Sequence, residues 1–187
     1  MLHRICLRIA ISLISFSAVF SLSEVYASGQ ALIGGYSGAS THSLYAADVS
    51  TQVAVEISNL LEPGQINSVA ITGMGLIGGR TFDSSFAALV SNGTATQISV
   101  EGPGIRSVAI NSAEMGLIGG TTTSNLLFAA SVINGLAYDL DLSDSGTVRS
   151  VAINDSGIGL IGGDSEGNPY AATIDKGVAT PGKRPFN

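Results

Sequence analysis

The chain has 187 residues, 45% hydrophobic and 12% charged, with 24 Gly, no Trp, one Cys and a net charge of −6. At roughly 150 residues per domain this is one domain. Few charges and many small apolar residues exclude disorder, and the acid excess excludes nucleic acid as a partner. So much glycine disfavours a helical bundle and suits a turn-rich all-β chain.

The first residues read as an address. His3, Arg4 and Arg8 precede an uncharged stretch from Ile9 to Leu22, and Val25-Tyr26-Ala27 places apolar and small residues where signal peptidase reads them. The stretch is shorter than the ~20 residues of a membrane span. The expectation is a signal peptide over residues 1–27, cleaved after Ala27. Cys6 would leave with it, so a lipid anchor is not expected. The mature chain would have no Cys and a net charge of −7, since two Arg and one Glu are removed. It would hold itself by packing and hydrogen bonds alone, in the envelope, at the cell surface or outside the cell.

The rest repeats. A-L-I-G-G ends at Gly35, and G-L-I-G-G ends at Gly79, Gly120 and Gly163, giving spacings of 44, 41 and 43 residues. S-V-A-I precedes three of them, from Ser68, Ser107 and Ser150. A third word follows all four, with Tyr45, Phe86, Phe128 and Tyr170 each ahead of two alanines. In the second unit, Ser68 to Ile71 alternates with Val69 and Ile71 on one face. Gly73-Met74-Gly75 is turn chemistry, Leu76-Ile77 begins a second strand closed by Gly78-Gly79, and Phe86 to Val90 is a third. Asn92-Gly93 is a hairpin turn, and Ala95 to Val100 alternates as a fourth strand.

Four strands every 40 to 45 residues is the arithmetic of a β-propeller blade. Rungs of a β-helix and leucine-rich repeats are shorter. The expectation is an all-β, propeller-like array of about four four-stranded antiparallel blades. The units run about 31–65, 66–104, 105–147 and 148–187. The first begins at its second strand once the leader is gone, so the count is three strands, then four, four and four. Small Ala70, Ala109 and Ala152 are expected where blades crowd. An unclosed edge would leave backbone groups unpaired, and the expectation is either self-association or a product truncated from a longer array.

WD and kelch signatures fail for want of Trp, and the Asp-box of sialidases needs an aromatic that Asn154-Asp155-Ser156-Gly157 lacks. The words resemble a group of surface proteins of chlamydia-like bacteria, with runs of S-V-A-I-N-x-S-G-x-G-L-I-G-G and Y-A-A-L-V, some ending in an autotransporter barrel. The resemblance spans Ala31 to about Lys176. It implies an exported, surface-displayed, passenger-like module for binding or adhesion. No amphipathic barrel strands follow in this sequence.

Chemistry is sparse. His42 is the only His beyond the leader and has no counterpart in the other units, so it reads as a solvated loop residue rather than part of a triad or a zinc site. Asp139, Asp141 and Asp144 read as a polar strand face, with Leu140 and Leu142 turned inward. Asp164-Ser165-Glu166-Gly167-Asn168 is an acidic loop without the spacing of a calcium loop. Arg106 and Arg149 precede S-V-A-I where the earlier unit has Asn67, and read as solvated strand starts. No phosphate-binding Gly loop occurs. The expectation is therefore no catalytic, cofactor-binding or metal-binding residue and no cofactor. The partner would be an undefined surface or host ligand. The loops after the double Gly vary most: Tyr36 to Ser43, Arg80 to Ser85, Thr121 to Asn125 and Asp164 to Pro169. They are expected on one face, where a partner could be met. The alternative is a propeller-fold lyase or glycosidase, which would need non-repeating polar residues at one rim.

Overall fold

The computed structural model describes residues 31–38, 43–49, 54–60, 63–100, 102 and 104–182. Every regular element among them is a strand. Blade 1 is β1 (Leu32–Ser37), β2 (Ser43–Asp48) and β3 (Val55–Glu56). Blade 2 is β4 (Gly64–Thr72), β5 (Met74–Thr81), β6 (Ser85–Ser91) and β7 (Thr94–Ile98). Blade 3 is β8 (Gly104–Ile110), β9 (Gly116–Thr121), β10 (Leu127–Ile133) and β11 (Leu136–Asp139). Blade 4 is β12 (Gly146–Ile153), β13 (Gly159–Ser165), β14 (Asn168–Asp175) and β15 (Val178–Pro181). Each blade is an antiparallel meander in chain order. The all-β blade array read from the repeats is therefore correct, and the described strands number three, four, four and four. The leader, the cut after Ala27 and His42 lie outside the described residues.

The inner strands carry a bulge that the words did not reveal. Register shifts between Ile66 and Ser68, between Ile105 and Ser107, and between Val148 and Ser150. One extra residue moves the next side chain to the other face. Residues three apart therefore share a face, and Ile66, Val69 and Ile71 all point at blade 1. Ile105, Val108 and Ile110 do the same towards blade 2, and Val148 and Val151 towards blade 3.

Each blade is thus two-faced. Its front, towards the preceding blade, carries the β-branched residues and the aromatic: Phe86 and Phe128 are 3% and 5% exposed, and Tyr170 packs against the third core. Its back, towards the following blade, is mostly small, with Ser68, Ala70, Gly78 and Ala87 in blade 2 and Leu76 and Ile98 filling the joint. The cores therefore lie in the joints between blades.

The double glycines do not end strands, contrary to the reading above. They lie within β1, β5, β9 and β13. Their cause is crowding on both faces. A Cβ on Gly78 would sit 2.5 Å from Val108 and 2.6 Å from Ile105 of the next blade. One on Gly79 would sit 1.9 Å from the Gln65 carbonyl at the bulge of its own inner strand. A β-strand alternates faces, so two adjacent glycines open both.

The turns follow ordinary rules. Asn92-Gly93, Asn134-Gly135, Glu166-Gly167 and Lys176-Gly177 all have positive φ, as two-residue hairpins of the right twist require. Residues 164–168 are therefore not a loop: β13 runs to Ser165, Glu166-Gly167 turns, and β14 starts at Asn168.

Polar side chains stitch the joints in the same register each time. The Val108 N–H donates to Ser68 Oγ (3.1 Å) and the Val151 N–H to Ser107 Oγ (3.2 Å). Asn67 Nδ2 donates to the Ile105 carbonyl (2.7 Å), and Thr72 Oγ1 to the Asn111 carbonyl (2.8 Å). Asn111 is 2% exposed. Its Oδ1 accepts from the N–H groups of Ala113 and Met115, and its Nδ2 donates to the Asn154 carbonyl. Asn111→Ala strands all three, so it should cost about 1–3 kcal/mol in urea denaturation. Asn154→Ala, exposed in the same register, should cost less.

Candidate functional site

The back face of blade 4 has nothing on it among the described residues. The leucine of the double-Gly word is 5%, 0% and 1% exposed at Leu32, Leu76 and Leu117, but 55% exposed at Leu160. A Cβ on Gly34 or Gly119 would strike β-branched side chains of the following blade at 2.5–2.7 Å; on Gly162 the nearest atom is 4.0 Å away. Ala171 is exposed, whereas Ala87 and Ala129 are fully buried. Ala70 and Ala109 pack against the next blade as expected, while Ala152 is exposed. Among the described back faces, only this one leaves such residues bare. Across the sheet, Ala152 pairs with Leu160, Leu160 with Thr173, and Gly162 with Ala171. Together Ala152, Leu160, Gly162 and Ala171 form a small apolar patch, with Thr173 beside it.

The variable segments sit at a different edge. In blades 2, 3 and 4 each joins the second strand to the third. Each described one is tied to the chain leading into the next blade or out of the previous one. Ser85 N–H donates to the Gly102 carbonyl, Gly146 N–H to that of Asn125, and Glu166 N–H to that of Ser145. They therefore share one side of the array. Phe82, 78% exposed, stands on it.

The remaining candidates are separate from one another. Leu140 is buried and Leu142 packs against the third core, while Asp139 and Asp141 are exposed, as alternation implies. Arg149 is exposed and pairs with Asp164; Arg106 is exposed. Asp155 accepts from the hydroxyl and N–H of Ser112, which hold its carboxyl below the ordinary range. Burial pushes the Tyr170 phenol up. Among the described residues no three His, Cys, Asp or Glu gather as metal ligands.

One groove was not foreseen. About 320 Å³ opens between blades 3 and 4, on the side away from the variable segments. Met115, Leu117, Ile133, Tyr138, Ile174 and Lys176 line it. Two blades contribute, so no single repeat shows it. The one sequence signal is Tyr138, which stands where the other blades have Thr96 and Thr180.

No family model and no curated relative matches the chain. Solved structures do. Hydrazine synthase of Kuenenia stuttgartiensis matches with a TM-score of 0.55 and 18% identity, over 81% of this chain and 45% of its own. YCF48 bound to D1 peptide matches with a TM-score of 0.47 and 13% identity, over 87% of this chain and 59% of its own. The chain thus spans about half the length of these structures. At 18% identity the first likeness shows a shared fold alone, and the repeated four-stranded antiparallel sheets make that fold propeller-type.

Proposed function

We propose that this chain is an exported, non-catalytic binding module of the bacterial envelope or surface, and that its copies associate head to tail through the back of blade 4. The observation that carries the association is the 55% exposure of Leu160 against 0% and 1% for Leu76 and Leu117. Burying such a patch is favourable at roughly 25 cal/mol per Å². In every internal joint a small back meets a bulky front. The front left over in a second copy is that of blade 1, where Ile33 and Tyr45 are only half-buried. A front-to-back contact is heterologous, so it closes as a ring or runs on as a filament. Export rests on the charged and apolar start of the chain. The surface role rests on the resemblance of the repeat words to autotransporter-type proteins. The variable segments are where a surface or host ligand would be met.

Sedimentation of the exported chain should show a mass that rises with concentration. Leu160→Lys puts a charge into the joint and should leave a monomer with an unchanged melting point. A parent chain that is monomeric at every concentration would refute the association. Recovery of the protein only in the cytoplasm would refute export.

A further inference from the structure

The groove between blades 3 and 4 has a cause that the preceding joint makes plain. Between blades 2 and 3, Leu89 packs into the core, and a Cβ on Gly135 of the facing turn would lie 3.8 Å from it. One joint later Ser131 holds that position, paired with Leu117 as Leu89 is paired with Leu76. A Cβ on the facing Gly177 meets nothing within 4 Å. A serine in place of a leucine has left the space open. Two further residues depart from the preceding joint. Tyr138 lies opposite Ser131, where Thr96 lies opposite Leu89. Lys176 holds the turn position of Asn134, and its φ of 50° suits asparagine and is uncommon for lysine.

The walls dictate what can fill the groove. Met115, Leu117, Ile133, Ile153 and Ile174 are apolar. The backbones of Leu117, Ser131 and Ile174 already pair with strands on both sides. A peptide laid here would leave its own N–H and C=O groups without partners, which is costly. A hydrocarbon chain has no such groups. Lys176 is the only charged residue of the lining. Asp139 follows Tyr138, and Asp175 stands between Ile174 and Lys176, so strand alternation turns both carboxylates to the other face. No described carboxylate pairs with Lys176. At about 320 Å³ the groove has the size of a site for a small molecule.

We propose that the groove binds a free fatty carboxylate of medium chain length. The acyl chain lies along Met115, Leu117, Ile133 and Ile174 under the Tyr138 ring, and the carboxylate meets the Lys176 ammonium. The site uses the front of blade 4, so it is separate from the bare back of that blade and goes beyond the association proposed above. It does not depend on export.

Methionine supplies a probe and its own control. Met115 lines the groove, while Met74 holds the same register in the preceding joint, which Leu89 fills. In the full chain labelled with 13C at the methionine methyl groups, decanoate below its micellar range should shift Met115 saturably and leave Met74 in place. Hexanoate should bind more weakly, by up to roughly fourfold per methylene lost. Lys176→Asn should weaken decanoate binding roughly threefold at an unchanged melting point. Ser131→Leu/Tyr138→Thr rebuilds the preceding joint and should abolish the Met115 shift in a chain that still melts cooperatively. Equal shifts at Met74 and Met115, or decanoate binding that ignores both chain length and Lys176→Asn, would overturn the inference. So would a Met115 shift on concentrating the protein alone, which assigns the groove to a second copy. Tighter binding of a blocked, uncharged apolar tripeptide than of decanoate would assign it to a peptide and overturn the inference too.

Discussion

Gly79→Ala is expected to cost about 3 kcal/mol or more, and Gly119→Ala about 1–3 kcal/mol, whereas Gly162→Ala should change stability by less than about 0.5 kcal/mol. The three residues belong to the same word of the repeat, so composition cannot separate them. Their surroundings do. The methyl on Gly79 meets a backbone carbonyl at 1.9 Å, which cannot rotate away. The methyl on Gly119 meets Val148 and Val151 at 2.5 and 2.6 Å, side chains that yield only by reopening the joint between blades 3 and 4. The methyl on Gly162 faces open space. Urea denaturation of dilute protein checks the series, with midpoints shifting at a constant slope. Equal losses at Gly119 and Gly162 would mean that the back of blade 4 is already covered within one chain.

Leu117→Ala is expected to remove about 2–5 kcal/mol, the range for emptying a leucine site in a packed core. Leu117 is 1% exposed and reaches Gly159 of the next blade across the joint. Leu160→Ala, the same substitution one repeat later, should fall within about 0.5 kcal/mol, as surface changes do. The comparison holds residue type, strand and register fixed and varies only the presence of a following blade. A large loss at Leu160 would contradict an open end.

The blades were legible because three words recur in register. Ser68 to Ile71, Leu76-Ile77 and Phe86 to Val90 became β4, β5 and β6, and Asn92-Gly93 became the turn before β7. The inward Leu140 and Leu142 were legible from alternation alone. The double glycines were misread as punctuation, because glycine most often marks a turn. Their real constraints are a β-branched side chain about 30 residues away in the next blade and a backbone carbonyl about 15 residues away in their own inner strand, which no local pattern contains. The bulge after Ile66 was hidden for a related reason: it is a property of the backbone, and the polar residues at that position, Asn67, Arg106 and Arg149, are equally at home at any exposed strand start. The groove beside Tyr138 draws on two blades and so has no sequence word of its own. The bare back of blade 4 could not be read either, since Leu160 and Gly162 are identical in type to residues that are covered elsewhere.

The polarity of stacking is tested most directly by mixing two exported single-cysteine chains, Ala31→Cys and Leu160→Cys, in the Cys6→Ser background. In the internal joints the back-face leucine always reaches one register position on the next blade. Leu32 lies 3.0 Å from a Cβ on Gly75, Leu76 lies 2.8 Å from one on Gly116, and Leu117 lies 2.9 Å from one on Gly159. Ala31 holds that position in blade 1. Head-to-tail stacking predicts a disulfide-linked dimer in the mixture that contains one chain of each kind, with little in either chain alone. A dimer of Leu160→Cys with itself, or no cross-link at concentrations where the parent chain associates, would contradict it.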